Sequence, residues 1–171
     1  MTERALRKHC ETTLRALDIE PPLRVPVLCE RLGARRGRPI RLVPYPLPVP
    51  GPSGLWLASP TADYVLHQRY TSTAHQDHIV LHEVGHIIAG HATVELDDET
   101  LSLLDPDTLR AAIGDALGRT CYDTEREREA ELVATIVLTR AAVLAAITPR
   151  PERDPGARRL QVALGERTGW R

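Results

Sequence analysis

The sequence predicts an α+β fold, mainly helical, with a short sheet of about three strands. Three observations carry that expectation. Residues 73–90 and 123–147 are long, Pro-free stretches rich in apolar residues, the second apolar on nearly every side from Ala130 onward. Three short apolar runs, at 39–43, 55–58 and 63–68, are punctuated by Pro, Gly and Ser. The 171 residues are 42% hydrophobic, enough to bury one core and too many for a disordered chain.

In chain order, residues 3–17 read as a helix with Ala5, Leu6, Leu14 and Leu17 toward the core, stopped by Pro21 and Pro22. A short helix follows over Val25–Leu32 and ends at Gly33. Pro39–Val43 is a strand. In residues 44–52, PYPLPVPGP, proline alternates with apolar residues, which fits an exposed extended stretch or a sheet edge because proline cannot donate to a ladder. Leu55–Ala58 and Asp63–Gln68 flank an SPTA turn and form a hairpin. Thr73 can cap the 73–90 helix, with Gln76 completing a capping box. Residues 105–117 form an amphipathic helix, and 123–147 the central one, broken by Pro149, Pro151 and Pro155. Residues 1–148 are expected to make one domain, with 1–50 as its helical and Pro-rich beginning and 54–148 as its core. Residues 149–171 form a basic tail.

The net charge is −1, which excludes a uniformly basic nucleic-acid binder. That figure conceals +5 over residues 1–41, −9 over 42–148 and +3 over 149–171. Three widely spaced cysteines, Cys10, Cys29 and Cys121, make neither a disulfide framework nor a CxxC metal knuckle. No segment approaches the ~20 apolar residues of a membrane span. The charged N-terminus lacks the apolar region of a secretory signal. The expected location is the cytoplasm, without a membrane partner.

The chemistry concentrates in His82-Glu83-Val84-Gly85-His86, an HExxH sequence inside the 73–90 helix. A shuffled chain would show it about 0.02 times, so chance is a poor account. Residues four apart on a helix differ by roughly 40°, so His82 and His86 can offer two imidazoles to one cation. Glu83 lies roughly 100° round, where it can take a proton from water without being a ligand. A catalytic zinc wants a third protein ligand from another element and one open position. His91 does not complete HExxHxxGxxH, falls nearly opposite His82 on the helical wheel, and reads as a helix-terminal histidine beside Gly90. The segment TEREREAELVATIVL offers Glu125, Glu127, Glu129 and Glu131. The stripe from Glu127 runs through Glu131, Ala134, Leu138 and Ala141, small and apolar, as a face packed on the HExxH helix should be. The Glu125 and Glu129 stripe leads to Arg140 and solvent, where those acids would only favour the helix dipole. Glu127 is therefore the expected third ligand, and Glu131 a hydrogen-bond acceptor for a ligand imidazole. Gly85 would let the Glu127 helix approach.

HEVGHIIAGH followed by EREAELVATIVL resembles the ImmA/IrrE family of metallo-endopeptidases, over roughly residues 54–140. That family shows a helical HExxH and a downstream helix opening E-x-x-A-(D/N)-x-x-A, matched here by Glu127, Ala130, Glu131 and Ala134. Glu131 is a departure from the usual Asp or Asn, and the connection from His86 to Glu127 is long for the family. The resemblance implies a small zincin-like fold, with a sheet beside two motif helices. It also implies Zn²⁺ as cofactor and cleavage of a regulatory protein such as a helix-turn-helix repressor.

The expected activity is zinc-dependent peptide-bond hydrolysis with Glu83 as the acid–base group. Tyr70, His75, His78 and Tyr122 are candidate oxyanion or substrate contacts. The substrate is expected to add as a strand to the sheet, with 63–69 as its edge. The alternative is a non-catalytic zinc protein that binds a transcriptional regulator or DNA, although direct nucleic-acid binding is not expected. It has no need of Glu83, and purely structural zinc sites usually close their fourth position with Cys or His. A deformylase-like hydrolase would need a Cys ligand, for which neither Cys10 nor Cys29 is well placed.

Overall fold

The computed structural model describes residues 2–97 and 124–147. The expected 105–117 helix, Tyr122, Cys121 and the 149–171 tail lie outside the described residues. The order of elements is α1 (Glu3–Ala16), α2 (Val25–Arg36), β1 (Ile40–Tyr45), β2 (Gly54–Ala58), β3 (Asp63–Gln68), α3 (Thr73–Ala89), β4 (Val94–Glu95) and α4 (Thr124–Ile147). The fold is α+β, as expected. Among the described residues the sheet has four strands rather than three, in the order β1-β3-β2-β4. It is mixed: β1 runs parallel to β3, β2 antiparallel to β3, and β4 parallel to β2.

This order corrects the expected edge. β3 is paired on both sides, so 63–69 has no free ladder for a substrate. The hairpin pattern predicted that β2 and β3 pair, but not that β1 returns along the far side of β3. The true edges are β1, which tolerates Pro44, and β4 with the exposed part of β2.

The two faces of the sheet build separate cores. Trp56 and Val65 face the helices and join Leu6, Cys10, Leu14, Leu28, Leu32, Leu81, Val84, Val133 and Val137. Leu55, Leu57, Tyr64 and Leu66 face the other way, where Leu47 from the Pro-rich segment covers them. Buried Asp63 links the layers. It accepts from the Trp56 indole N–H (3.0 Å) and pairs with Arg36 and with Arg38.

Local differences from the expected elements have local causes. In α1, Cys10 rather than Ala5 faces the core. Helix α2 passes through Gly33 and stops at Gly37, whose φ of 66° supplies the left-handed cap. Gly33 is needed instead because the backbone of residues 38–40 passes against it. Ser72, not Thr73, caps α3 by accepting from the His75 N–H. Gln76 instead donates to the Arg69 and Thr71 carbonyls.

Helix α4 differs most from expectation. It buries one stripe, Ala130, Val133, Ala134 and Val137, against α3 and α1, whereas Leu138, Val143 and Ile147 are exposed. By length and apolarity α4 would suffice to cross a membrane, with a window of mean hydropathy 1.9. The expectation that no segment approached that length is corrected here. Only the alignment of its acids and small residues against α3 shows which side does the packing.

Candidate metal centre

Gly85 decides how α3 and α4 meet. A Cβ there would lie 2.4 Å from the Ala130 carbonyl oxygen and 2.8 Å from its Cα. The two backbones touch at that point, which places Glu127, one turn before Ala130, over the His82/His86 face. His82 Nε2 lies 3.1 Å from Glu127 Oε2 and 3.2 Å from His86 Nε2, and His86 Nε2 lies 3.6 Å from Glu127 Oε1. Among the described residues these three form a group that could hold a metal ion, with ligand atoms all within 4.8 Å of one another.

The chemistry of the donor set fits a metal. Glu131 Oε2 lies 3.3 Å from His82 Nδ1, the position expected of an acceptor that keeps the proton there. His82 Nε2 then presents a lone pair, as does each Glu127 oxygen, and a cation between them relieves that convergence. Burial first, and then the neighbouring His82, His91 and Arg126 side chains, push the His86 pKa down to about 4, so its ring stays neutral as a ligand must.

Glu83 sits beside the group without belonging to it. It is 9% exposed. Burial pushes its carboxyl up to about 7, helped by Glu127 and opposed by His82 and by the backbone N–H of Trp56, which donates to it. A carboxyl poised there exchanges protons near neutral pH. Its room comes from Gly54, where a Cβ would stand 2.6 Å from Glu83 Oε1 and 2.6 Å from Ile79 Cγ2.

A cleft of about 570 Å³ opens over these groups, between residues 51–56, α3, residues 91–93 and the start of α4. His75 and His78 line it, as expected of candidate substrate contacts. His78 Nε2 is 3.4 Å from Glu131, and His75 Nδ1 is 2.9 Å from the Thr71 hydroxyl. Tyr70 is not brought to the cleft: it is 75% exposed and lies under the Arg69 guanidinium. Strand β4 covers only Leu57 and Ala58 of β2, leaving the Gly54–Trp56 part of that edge toward the cleft. The Thr93 hydroxyl donates to the Trp56 carbonyl there.

His91 stands at the helix end beside Gly90, as expected, but its partners and those of Glu129 were not. His91 Nδ1 is 2.9 Å from His86 Nδ1, and His91 Nε2 is 2.8 Å from Glu129 Oε2. Glu129 therefore does not merely face solvent at a helix start. Its hydrogen bond to His91 holds the carboxyl below its ordinary range. The wheel failed because α3 ends at Gly90, with φ 73°. The His91 N–H bonds back to His86 O and the Gly90 N–H to Ile87 O, a Schellman motif that brings the side chain after the glycine against that of His86. The pair GH closing HIIAGH is the signal that could have found it. Gly54, Trp56 and Thr93 carried no comparable signal.

Cys10 and Cys29 lie in the helical core, away from the cleft, and burial raises their thiols to about 11 and about 12. Among the described residues neither belongs to the group that could hold a metal. Compared with protein families, curated proteins and solved structures, the chain matches none.

Proposed function

We propose that this protein is a zinc-dependent endopeptidase of zincin-like design, acting on a regulatory protein such as a helix-turn-helix repressor. The observation that carries the reading is Glu83, a buried carboxyl in an open cleft, beside three side chains that could hold a metal ion. A structural metal site has no use for such a group. The resemblance of HEVGHIIAGH and EREAELVATIVL to the ImmA/IrrE family supplies the substrate class. The cytoplasmic location and the absence of a membrane partner belong to the same reading. Against α4 spanning a membrane stands its packing, which turns Glu127 and the stripe of Ala130 and Ala134 to α3.

His82, His86 and Glu127 would hold the zinc. When bound, zinc supplies Lewis-acid polarisation of water and of the scissile carbonyl. Glu83 takes the proton of the attacking water and returns it to the leaving amine nitrogen. Trp56, through its backbone N–H, keeps that carboxylate aimed into the cleft. The substrate backbone runs past Gly54 at the cleft end of the β2 edge, since the Trp56 N–H is held by Glu83 and its carbonyl by Thr93. His75 and His78 contact it from the helix side.

The test is a cleavage assay on candidate repressors, with metal analysis of each protein used. Glu83→Gln should retain zinc and lose cleavage by about 10²-fold or more. A variant that cleaves at the wild-type rate refutes the mechanism. Loss of biological effect in His86→Ala but not in Glu83→Gln would establish the non-catalytic alternative.

A further inference from the structure

We propose that His91 and Glu129 form a hydrogen-bonded relay that sets the tautomer of His86 and aims its Nε2 at the metal position. Both are thus positioning residues for the centre. The inference rests on reading His82, His86 and Glu127 as metal ligands.

The argument runs from the acceptor end. The Glu129 carboxylate has only acceptors, and His91 Nε2 stands 2.8 Å from it, so His91 carries its proton on Nε2. The opposite tautomer would set a nitrogen lone pair against a carboxylate oxygen at hydrogen-bond distance. With its proton on Nε2, His91 has only a lone pair on Nδ1. That atom is 2.9 Å from His86 Nδ1, so His86 must be the donor there. His86 Nε2 is left as the lone pair, and it is the atom 3.2 Å from His82 Nε2 and 3.6 Å from Glu127 Oε1. The chain therefore ends with the correct nitrogen facing the metal position. Burial preserves it: the His91 and Glu129 side chains are 8% and 14% exposed, so water competes weakly for these bonds.

The site becomes symmetrical in its logic. Glu131 fixes His82 directly, from the next turn of α4, whereas Glu129 fixes His86 through an interposed imidazole. The interposed ring is needed because His86 lies one turn further along α3. The Gly90 reversal supplies it from the end of the same helix.

The experiment has two readouts. Long-range ¹⁵N–¹H NMR of the metal-free wild type at neutral pH should show His86 protonated on Nδ1 and His91 on Nε2. Competition titration with a chromophoric chelator should show zinc Kd raised about 10–100-fold in His91→Leu and in Glu129→Leu. His91→Asn, whose amide oxygen can accept from His86 Nδ1–H, should return Kd to within about threefold of wild type. A purely packing role predicts no rescue by Asn and no change of tautomer. His86 protonated on Nε2 in the wild type, or unchanged Kd in both leucine variants, overturns the relay. Failure of the wild type to bind zinc would overturn the metal centre instead, and the tautomer measurement on that same protein would still decide the relay.

Discussion

Gly85→Ala tests the helix crossing on which the whole centre depends. Two effects of opposite sign compete. Removing a glycine from the interior of α3 should stabilise it by up to about 1 kcal/mol, because alanine gives up less backbone freedom on folding. Against that, the new Cβ would stand 2.4 Å from the Ala130 carbonyl oxygen, 2.8 Å from its Cα and 3.0 Å from its carbonyl carbon, all backbone atoms that cannot rotate away. Restoring ordinary contact requires α3 and α4 to separate by about 1 Å, and overpacking of that kind costs about 1–3 kcal/mol. The net expectation is destabilisation of about 0–2 kcal/mol. The larger consequence is chemical. Glu127 rides on α4 one turn from the contact and shifts with it, and ligand geometry tolerates only about 0.5 Å. Zinc affinity should fall by about 10-fold or more. Urea denaturation of the metal-free protein and chelator competition measure the two effects separately. A variant about 1 kcal/mol more stable than wild type with unchanged zinc affinity would show that the helices do not touch there.

Gly54→Ala should keep zinc but lower the rate of substrate cleavage by about 10–10²-fold, since its Cβ displaces Glu83; unchanged turnover would refute the placement. In the metal-free protein, Glu83 is a carboxyl raised to about 7, so the folded state holds its proton where the unfolded chain has lost it. Its penalty is absent below its unfolded value of 4.5, grows as pH rises, and is complete above about 7. Glu83→Gln should then be more stable than wild type by about 1–3 kcal/mol at pH 8 and by almost nothing at pH 4, as read by urea denaturation at both values. An equal difference at both pH values would contradict the buried setting of Glu83. Asp63→Ala should destabilise by about 2–4 kcal/mol, because it strands Arg36 and Arg38 and leaves the Trp56 indole N–H unpaired. A loss under ~0.5 kcal/mol in the same assay would show the ion cluster to be inert.

Much of the site was legible because its spacing is local. His82, Glu83 and His86 depend on one helix, whose periodicity places them whatever surrounds it. Glu127 needed a second helix, and the argument from its face reached the residue that the structure groups with His82 and His86, though by a partly wrong stripe. Leu138, placed on that face, is exposed, and the packed stripe is Ala130, Val133, Ala134 and Val137. Gly85 was readable because glycine inside a helix is costly and invites a close neighbour. The contact of His91 with His86 was missed because wheel arithmetic assumes a continuing helix, and Gly90 ends it.

The sequence by itself determined the local arrangement: two helices, the residues on each that could hold a metal, and the Glu83 carboxyl beside them. These follow from a 3.6-residue period, which needs no knowledge of distant contacts. Only the tertiary structure decided what meets across the chain. It put β3 inside the sheet, turned the Gly54–Trp56 edge to the cleft and carried Glu129 to His91, 38 positions away. Such pairings are set by which faces bury together, and many sequences with the same local pattern could pair them differently. The candidate ligands were therefore visible in the order of residues, while the contact of Glu129 with His91 came into view only when the chain was folded.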